Sequence, residues 1–232
     1  MVKSNIISAM NANRLFWLGR YEQRVAMTLH QLRKCCDGMI DGQPTDYAEI
    51  WNRLDASGNY SSSEEFTLGM MYDEENPSSV ISAQIAAQDN AMLLRGSLAT
   101  ETLAYLEMSV ALMRDMKKQK QTNVTMLQPV TDWALAFWGS AEERVEHHRM
   151  MLLMHIGRKI ETIDMLIRFD YPFVRLANPY NVMKRFLKDI PDICDEHILA
   201  KLDELMTQSK YDVTDQEYKC KLIKLINLLI RV

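Results

Sequence analysis

The sequence predicts an all-α fold, and three observations carry that prediction. The 232 residues include 8 Gly and 6 Pro against 17 Met. Few breakers and many unbranched side chains favour helices and disfavour sheet. Leu15, Leu18, Glu22, Val25, Leu29, Leu32 and Cys36 recur every third or fourth residue, an apolar seam at helical spacing with one carboxylate set into it. A variant of the same plan returns near the other end. Superposing Gly19 on Gly157 aligns a second seam, Leu153, Ile156, Ile160, Ile163 and Ile167, with Ile160 falling where the first copy has Glu22. No segment alternates convincingly with period two. The expectation is one domain over residues 1–232, a bundle of roughly eight to ten helices. The two Gly-Arg helices, Gly19-Arg20 and Gly157-Arg158, suggest an internal pseudo-repeat, packed together or placed equivalently about a pseudo-twofold.

Ser8 is a candidate N-cap for a first helix running to about Asp37, stopped by Gly38 and Gly42-Gln43-Pro44. A short helix is expected from Thr45 to Leu54, then a turn at Ser57-Gly58-Asn59. The run Ser61-Ser62-Ser63-Glu64-Glu65 opens another short helix with a capping pattern. Ser78 or Ser79 caps a helix through Asn90 to Arg95, and Gly96 is either a kink or the junction with a long helix to Lys120. That helix ends in Arg114, Lys117, Lys118 and Lys120, which reads as a solvated end complementing the helix dipole rather than a binding patch. Thr131-Asp132 is read as the next cap, with a break at Gly139-Ser140 and helix continuing through His147-His148 to Phe169. Tyr171-Pro172 and Asn178-Pro179 punctuate the next segment, Pro191 opens a further element, and Thr214 or Asp215 caps a last amphipathic helix.

Composition narrows the function. A net charge of −4 disfavours non-specific nucleic-acid binding. No run of eighteen apolar residues suggests a membrane span, and the first residues show no secretory h-region. Cys35, Cys36, Cys194 and Cys220 have no Cys-x-x-Cys spacing, which fits reduced thiols and a cytoplasmic protein. There is no phosphate-binding Gly loop, no nucleophile elbow and no zinc spacing. A di-iron bundle needs two Glu-x-x-His pairs, and the chain has none. Glu143 and His147 form one i,i+4 pair, so Glu142 to His148 reads as surface polarity, and neither metal nor cofactor is expected.

The informative polar residues are those at unusual positions. A carboxylate in an apolar seam is costly unless paired, so Glu22 is expected to be buried and bonded to an arginine, with Arg95 and Arg158 the candidates. With Asn90, Glu101 and Glu161 these residues form either a structural network that fixes helix register or a polar pocket holding a charged ligand.

Asn13-Arg14-Leu15-Phe16-Trp17-Leu18-Gly19-Arg20-Tyr21 followed by Arg24 resembles the opening helix of the alpha-E family, helical bacterial proteins named for a Glu-Arg motif. Asn76-Pro77-Ser78-Ser79 with Asn90-Ala91, Arg95 and Glu101 resembles its middle segment, and Ile156-Gly157-Arg158 with Glu161 its second Gly-Arg repeat. The resemblance covers residues 4–170. The family's Glu-Arg falls on Gln23-Arg24 and on Glu161-Thr162, so each copy keeps one half of the pair, as in a divergent, short member. The resemblance implies a partner more than a reaction, since such proteins are associated with ATP-grasp ligases and related peptide-processing proteins. The expected site cluster is Arg20, Glu22, Gln23, Arg24, Asn90, Arg95, Glu101, Arg158 and Glu161. The sequence supports three functional readings. The first is an accessory or substrate-binding subunit of an ATP-grasp-linked peptide or amide synthesis system, with a peptide or amino-acid ligand and no catalysis by the isolated chain. The second is a stand-alone enzyme using the Glu/Arg cluster on an amide or amino-acid substrate. The third is a helical scaffold in which every charged pair is structural.

Overall fold

The structure, a computed structural model, describes residues 7–40, 47–54 and 60–232. The expected stop at Gly42-Gln43-Pro44 and the turn at Ser57-Gly58-Asn59 lie outside the described residues. The fold is all-α, and no strand occurs among the described residues; a single isolated bridge joins Cys194 and Ile230. The chain divides into two compact units, residues 1–20 with 147–232, and residues 21–146.

Helix α1, Ala9–Ile40, begins where Ser8 Oγ accepts the Asn11 N–H at 3.2 Å, and it runs through Gly38 instead of stopping there. Its seam is buried as the periodicity demands: Leu15, Leu18, Val25 and Leu29 are fully covered. At the end of the seam Cys35 is buried and Cys36 only partly, because the stripe drifts by one residue over about six turns.

In the first unit, the N-terminal part of α1 packs on α7, His148–Arg168. The crossing is reciprocal. A Cβ on Gly19 would lie 2.0 Å from the Met154 carbonyl oxygen, and one on Gly157 would lie 2.0 Å from the Phe16 carbonyl oxygen. Each glycine faces the carbonyl three residues before the other, so the backbones themselves are in contact. Glycine disfavours each helix by about 1 kcal/mol. Burial of Leu15, Leu18, Leu153, Ile156 and Ile160 contributes roughly 1.5–3 kcal/mol per side chain and outweighs that loss. The reciprocity belongs to this crossing and does not by itself establish a repeat of the fold.

Helix α8, Phe173–Asp189, is one element, although two short helices parted at Asn178-Pro179 are expected from sequence. Pro179 removes the hydrogen bond to Arg175, yet its burial with Leu176, Tyr180 and Met183 keeps the helix continuous. A 3₁₀ turn, Pro191–Ile193, leads to α9, Glu196–Leu205, which Asp195 caps; Asp215 caps α10, Gln216–Leu228. Helix α7 packs on both α8 and α10, and α10 on α9.

The second unit holds the rest of α1 with α2 (Tyr47–Arg53), α3 (Ser63–Tyr72), α4 (Val80–Leu93), α5 (Thr100–Lys118) and α6 (Gln128–Arg144). Its core gathers Val25, Leu29 and Leu32 with Phe66, Met70, Tyr72, Ile81, Met113 and Leu127. Ser62 caps α3 through the Glu65 N–H, and Glu65 reaches back to the Ser61 N–H at 2.7 Å, a capping box shifted by one residue. Ser79 caps α4, and Gly96 lies in the turn between α4 and α5, the junction rather than a kink. Helix α6 starts earlier than Thr131-Asp132. A 3₁₀ turn capped by Asn123 runs into Gln128-Pro129, where the proline needs no N–H partner, and Asp132 bonds Gln128 instead of capping. It passes Gly139 unbroken and ends at Arg144. The extended residues Val145 and His147 separate α6 from α7, where one continuous helix is expected from sequence.

Gly19→Ala and Gly157→Ala are each expected to lower the unfolding free energy by about 3 kcal/mol or more, since the added methyl meets backbone that cannot rotate away. A Cβ on Gly139 meets nothing within 4 Å, so Gly139→Ala is expected to stabilise by about 0.5–1 kcal/mol. Urea denaturation of the three variants measures both, and a Gly19→Ala protein as stable as the parent contradicts the tight crossing.

Candidate functional site

The deepest charged pair lies beside the glycine crossing. Arg20 follows Gly19 on α1, and Glu161 stands one turn beyond Gly157 on α7. Arg20 Nε donates to Glu161 Oε2 at 2.8 Å and its terminal nitrogen lies 2.7 Å from the same oxygen, with the two side chains 4% and 0% exposed. The close backbone approach makes this short reach possible. Phe16 and Trp17, four and three residues before Arg20, share its helix face. The guanidinium carbon sits 4.8 Å from the Trp17 ring centroid and 5.9 Å from that of Phe16. The cation is thus held by a carboxylate and two aromatic faces. Sealed inside the crossing, the pair ties α1 to α7 and fixes the register at which they meet.

In the second unit Glu22 is 1% exposed, as its place in the seam requires. Gln84 of α4 donates to it, Nε2 to Oε1, at 3.0 Å. Arg95, one of the two arginines expected to bond Glu22, is instead exposed. Arg158 lies half-buried on α7. Gln23 and Arg24 are half-buried on α1. Asn90 Nδ2 donates to the Ala86 carbonyl of its own helix at 2.8 Å. Glu101 lies 3.8 Å from Arg144, with side chains 63% and 48% exposed, a contact worth little.

The sequence reading missed Gln84 and a second buried network. Gln84 follows Val80 and Ile81 in the buried stripe of α4, so the argument applied to Glu22 would have found it. Asp164 lies among Ile160, Ile163 and Ile167 and is equally conspicuous. It accepts from Arg168 Nε at 2.6 Å and from Asn227 Nδ2 of α10 at 2.7 Å. Next to it Lys219 Nζ donates to the Arg168 carbonyl at 2.9 Å and to Asp170 Oδ1 at 2.6 Å. Lys219 thereby caps the C-terminus of α7 from α10, where a cation complements the helix dipole.

Residues 8–184 match a family described as a predicted alpha-helical domain with a conserved ER motif. The chain belongs to the Alpha-E family. No curated protein and no solved structure matches it. In this Alpha-E chain the literal Glu-Arg dipeptide is Glu143-Arg144, exposed at the end of α6. The buried Glu–Arg pair is assembled instead in space, its base from α1 and its acid from α7. Among the described residues of this Alpha-E protein no group of three His, Cys, Asp or Glu side chains could hold a metal ion. All four cysteines are free thiols, and burial pushes the Cys35 thiol up to about 11, so at neutral pH it is a poor nucleophile.

Glu161→Ala is expected to cost on the order of 3–5 kcal/mol by stranding a buried Arg20, while the double variant Arg20→Met/Glu161→Leu recovers most of it. Denaturation of the single and double variants checks this, and equal losses from both would show that packing, not the charge pair, sets the stability. In thiol labelling under mildly alkaline conditions Cys220, which is exposed, is expected to react at once and Cys35 only on unfolding; prompt labelling of Cys35 contradicts its burial.

Proposed function

We propose that this Alpha-E protein is a cytoplasmic accessory or substrate-binding subunit of an ATP-grasp-linked peptide- or amide-bond synthesis or peptide-modification system in bacteria. The observation that carries the reading is the sealed Arg20–Glu161 pair. The acid and base closest to the family's motif are used to join two helices. A general base or a ligand anchor must reach a substrate, and these groups do not. The reactive chemistry therefore falls to a partner, and the partner class is the one the family resemblance implies. In the second unit Met92, Leu93, Met108, Met126 and Leu135 are exposed apolar side chains of the kind a partner covers.

The test is a turnover assay with ATP and an amino-acid or peptide pool, run with this chain alone, with an ATP-grasp ligase from the same organism alone, and with both. The expected result is no product from the chain alone and several-fold faster ligation when it is added. Product from the chain alone, abolished by Glu22→Gln, overturns the reading and makes the protein an enzyme.

A further inference from the structure

The second unit carries a cleft of about 540 Å³, lined by α3 and the C-terminal end of α5. Pockets of roughly 300–1,000 Å³ hold small molecules or the end of a peptide. Its apolar part is Tyr60 and Leu68, backed by the buried Tyr72, and this part is built rather than incidental. The Tyr60 ring lies directly on the backbone at Gly69, where a Cβ would come within 2.5 Å of it. Asn76 Nδ2 donates to the Tyr60 hydroxyl at 3.1 Å, and the ring meets Phe66 edge-on at 5.6 Å. Burial pushes the Tyr60 and Tyr72 phenols up, so both stay neutral.

The charged part consists of Lys117 and Lys120 facing three acids. Two of those acids are already engaged. Glu65 accepts from the Ser61 N–H and hydroxyl at 2.7 and 2.5 Å, and Asp73 Oδ1 accepts from the Glu75 N–H at 3.0 Å. Neither lysine ammonium makes a close ion pair among the described residues, although Lys117 acts electrostatically on Glu74; their neighbours Arg114 and Lys118 are bonded to Glu74 and Asp115.

Lys120 has a second peculiarity. It has φ 49° and sits just past the end of α5, where its N–H bonds the Lys117 carbonyl and the Gln121 N–H bonds the Met116 carbonyl. That is a Schellman motif with lysine in the left-handed position that glycine normally takes. Among the described residues one other non-glycine shares this conformation, Asp170 after α7, with φ 55°. There the side chain has a visible task, since it holds Lys219. Lys120 has the same backbone cost and no ion-pair partner among the described residues, and it faces the cleft.

We propose that this cleft binds an apolar residue bearing a free α-carboxylate, the C-terminal end of a peptide or a single amino acid. The side chain lies on Tyr60 and Leu68, and the carboxylate takes charge-assisted hydrogen bonds from Lys117 and Lys120. The sequence reading of this basic run as a solvated helix end then holds for Arg114 and Lys118 but not for these two lysines. The inference names a ligand class for the substrate-binding subunit above and rests on that reading for the ligand's source, yet it is measured with no ligase present.

The experiment is calorimetric titration of the whole chain with N-acetyl-phenylalanine, its amide, free phenylalanine and an acetylated tripeptide ending in phenylalanine. The acids are expected to bind and the amide to bind about tenfold more weakly or not at all. The tighter of tripeptide and free amino acid identifies the source. Lys120→Gly keeps the left-handed backbone without strain, so its melting temperature is expected to stay level or rise while affinity for the acids falls about tenfold. Lys117→Gln is expected to weaken binding likewise. Amide binding as tight as the acid, no binding of any probe, or full affinity in Lys120→Gly overturns the proposal. Ligase stimulation that persists in Lys120→Gly would separate the two readings, leaving the accessory role intact without this cleft.

Discussion

The backbone contact between α1 and α7 is the constraint on which the first unit depends. Two glycines, each opposite a carbonyl oxygen of the other helix, let the axes approach as no side chain would allow. The approach has two consequences. It brings Leu15 and Leu18 into the same buried layer as Leu153, Ile156 and Ile160. It also shortens the gap that Arg20 must span to reach Glu161. A longer separation would leave a buried guanidinium and a buried carboxylate apart, each with a desolvation cost of several kcal/mol. Packing and charge pairing are therefore one device: the glycines bring the ion pair within reach, and the ion pair fixes the register at which the glycines meet.

Polar residues in the core follow the same rule in both units. Wherever a carboxylate interrupts an apolar stripe, a second helix supplies the donor: Arg20 for Glu161, Gln84 for Glu22, Asn227 for Asp164. Such bonds are directional, whereas the methionines and leucines around them would tolerate sliding by a turn. Buried polar contacts thus select one arrangement among several of similar apolar burial. The cleft proposed above as a binding site lies elsewhere, between α3 and the end of α5, with Lys117 and Lys120 on its wall.

Helix ends were the most legible parts of the chain where a side chain decided them locally. Ser8, Ser62, Ser79 and Asp215 cap the helices they precede, because each satisfies N–H groups two or three residues on. Boundaries decided by distant packing were not legible. Pro179 stays inside α8 because its ring is buried, and Gly139 stays inside α6 because nothing there asks the chain to turn. Val145 to His147 breaks where the two compact units part, a fact of contacts and not of composition.

The sequence by itself determined the all-α class, the seams of α1 and α7, the burial of Glu22 and the family. Each of these follows from periodicity or from a short ordered motif, properties that one stretch of chain carries alone. Only the tertiary structure decided the partners. Glu22 meets Gln84, Arg20 meets Glu161 from 141 residues away, and Arg95 is left in solvent. A hydrogen bond needs two groups placed within about 3 Å. Helical periodicity fixes which face a residue occupies but not which helix that face will meet.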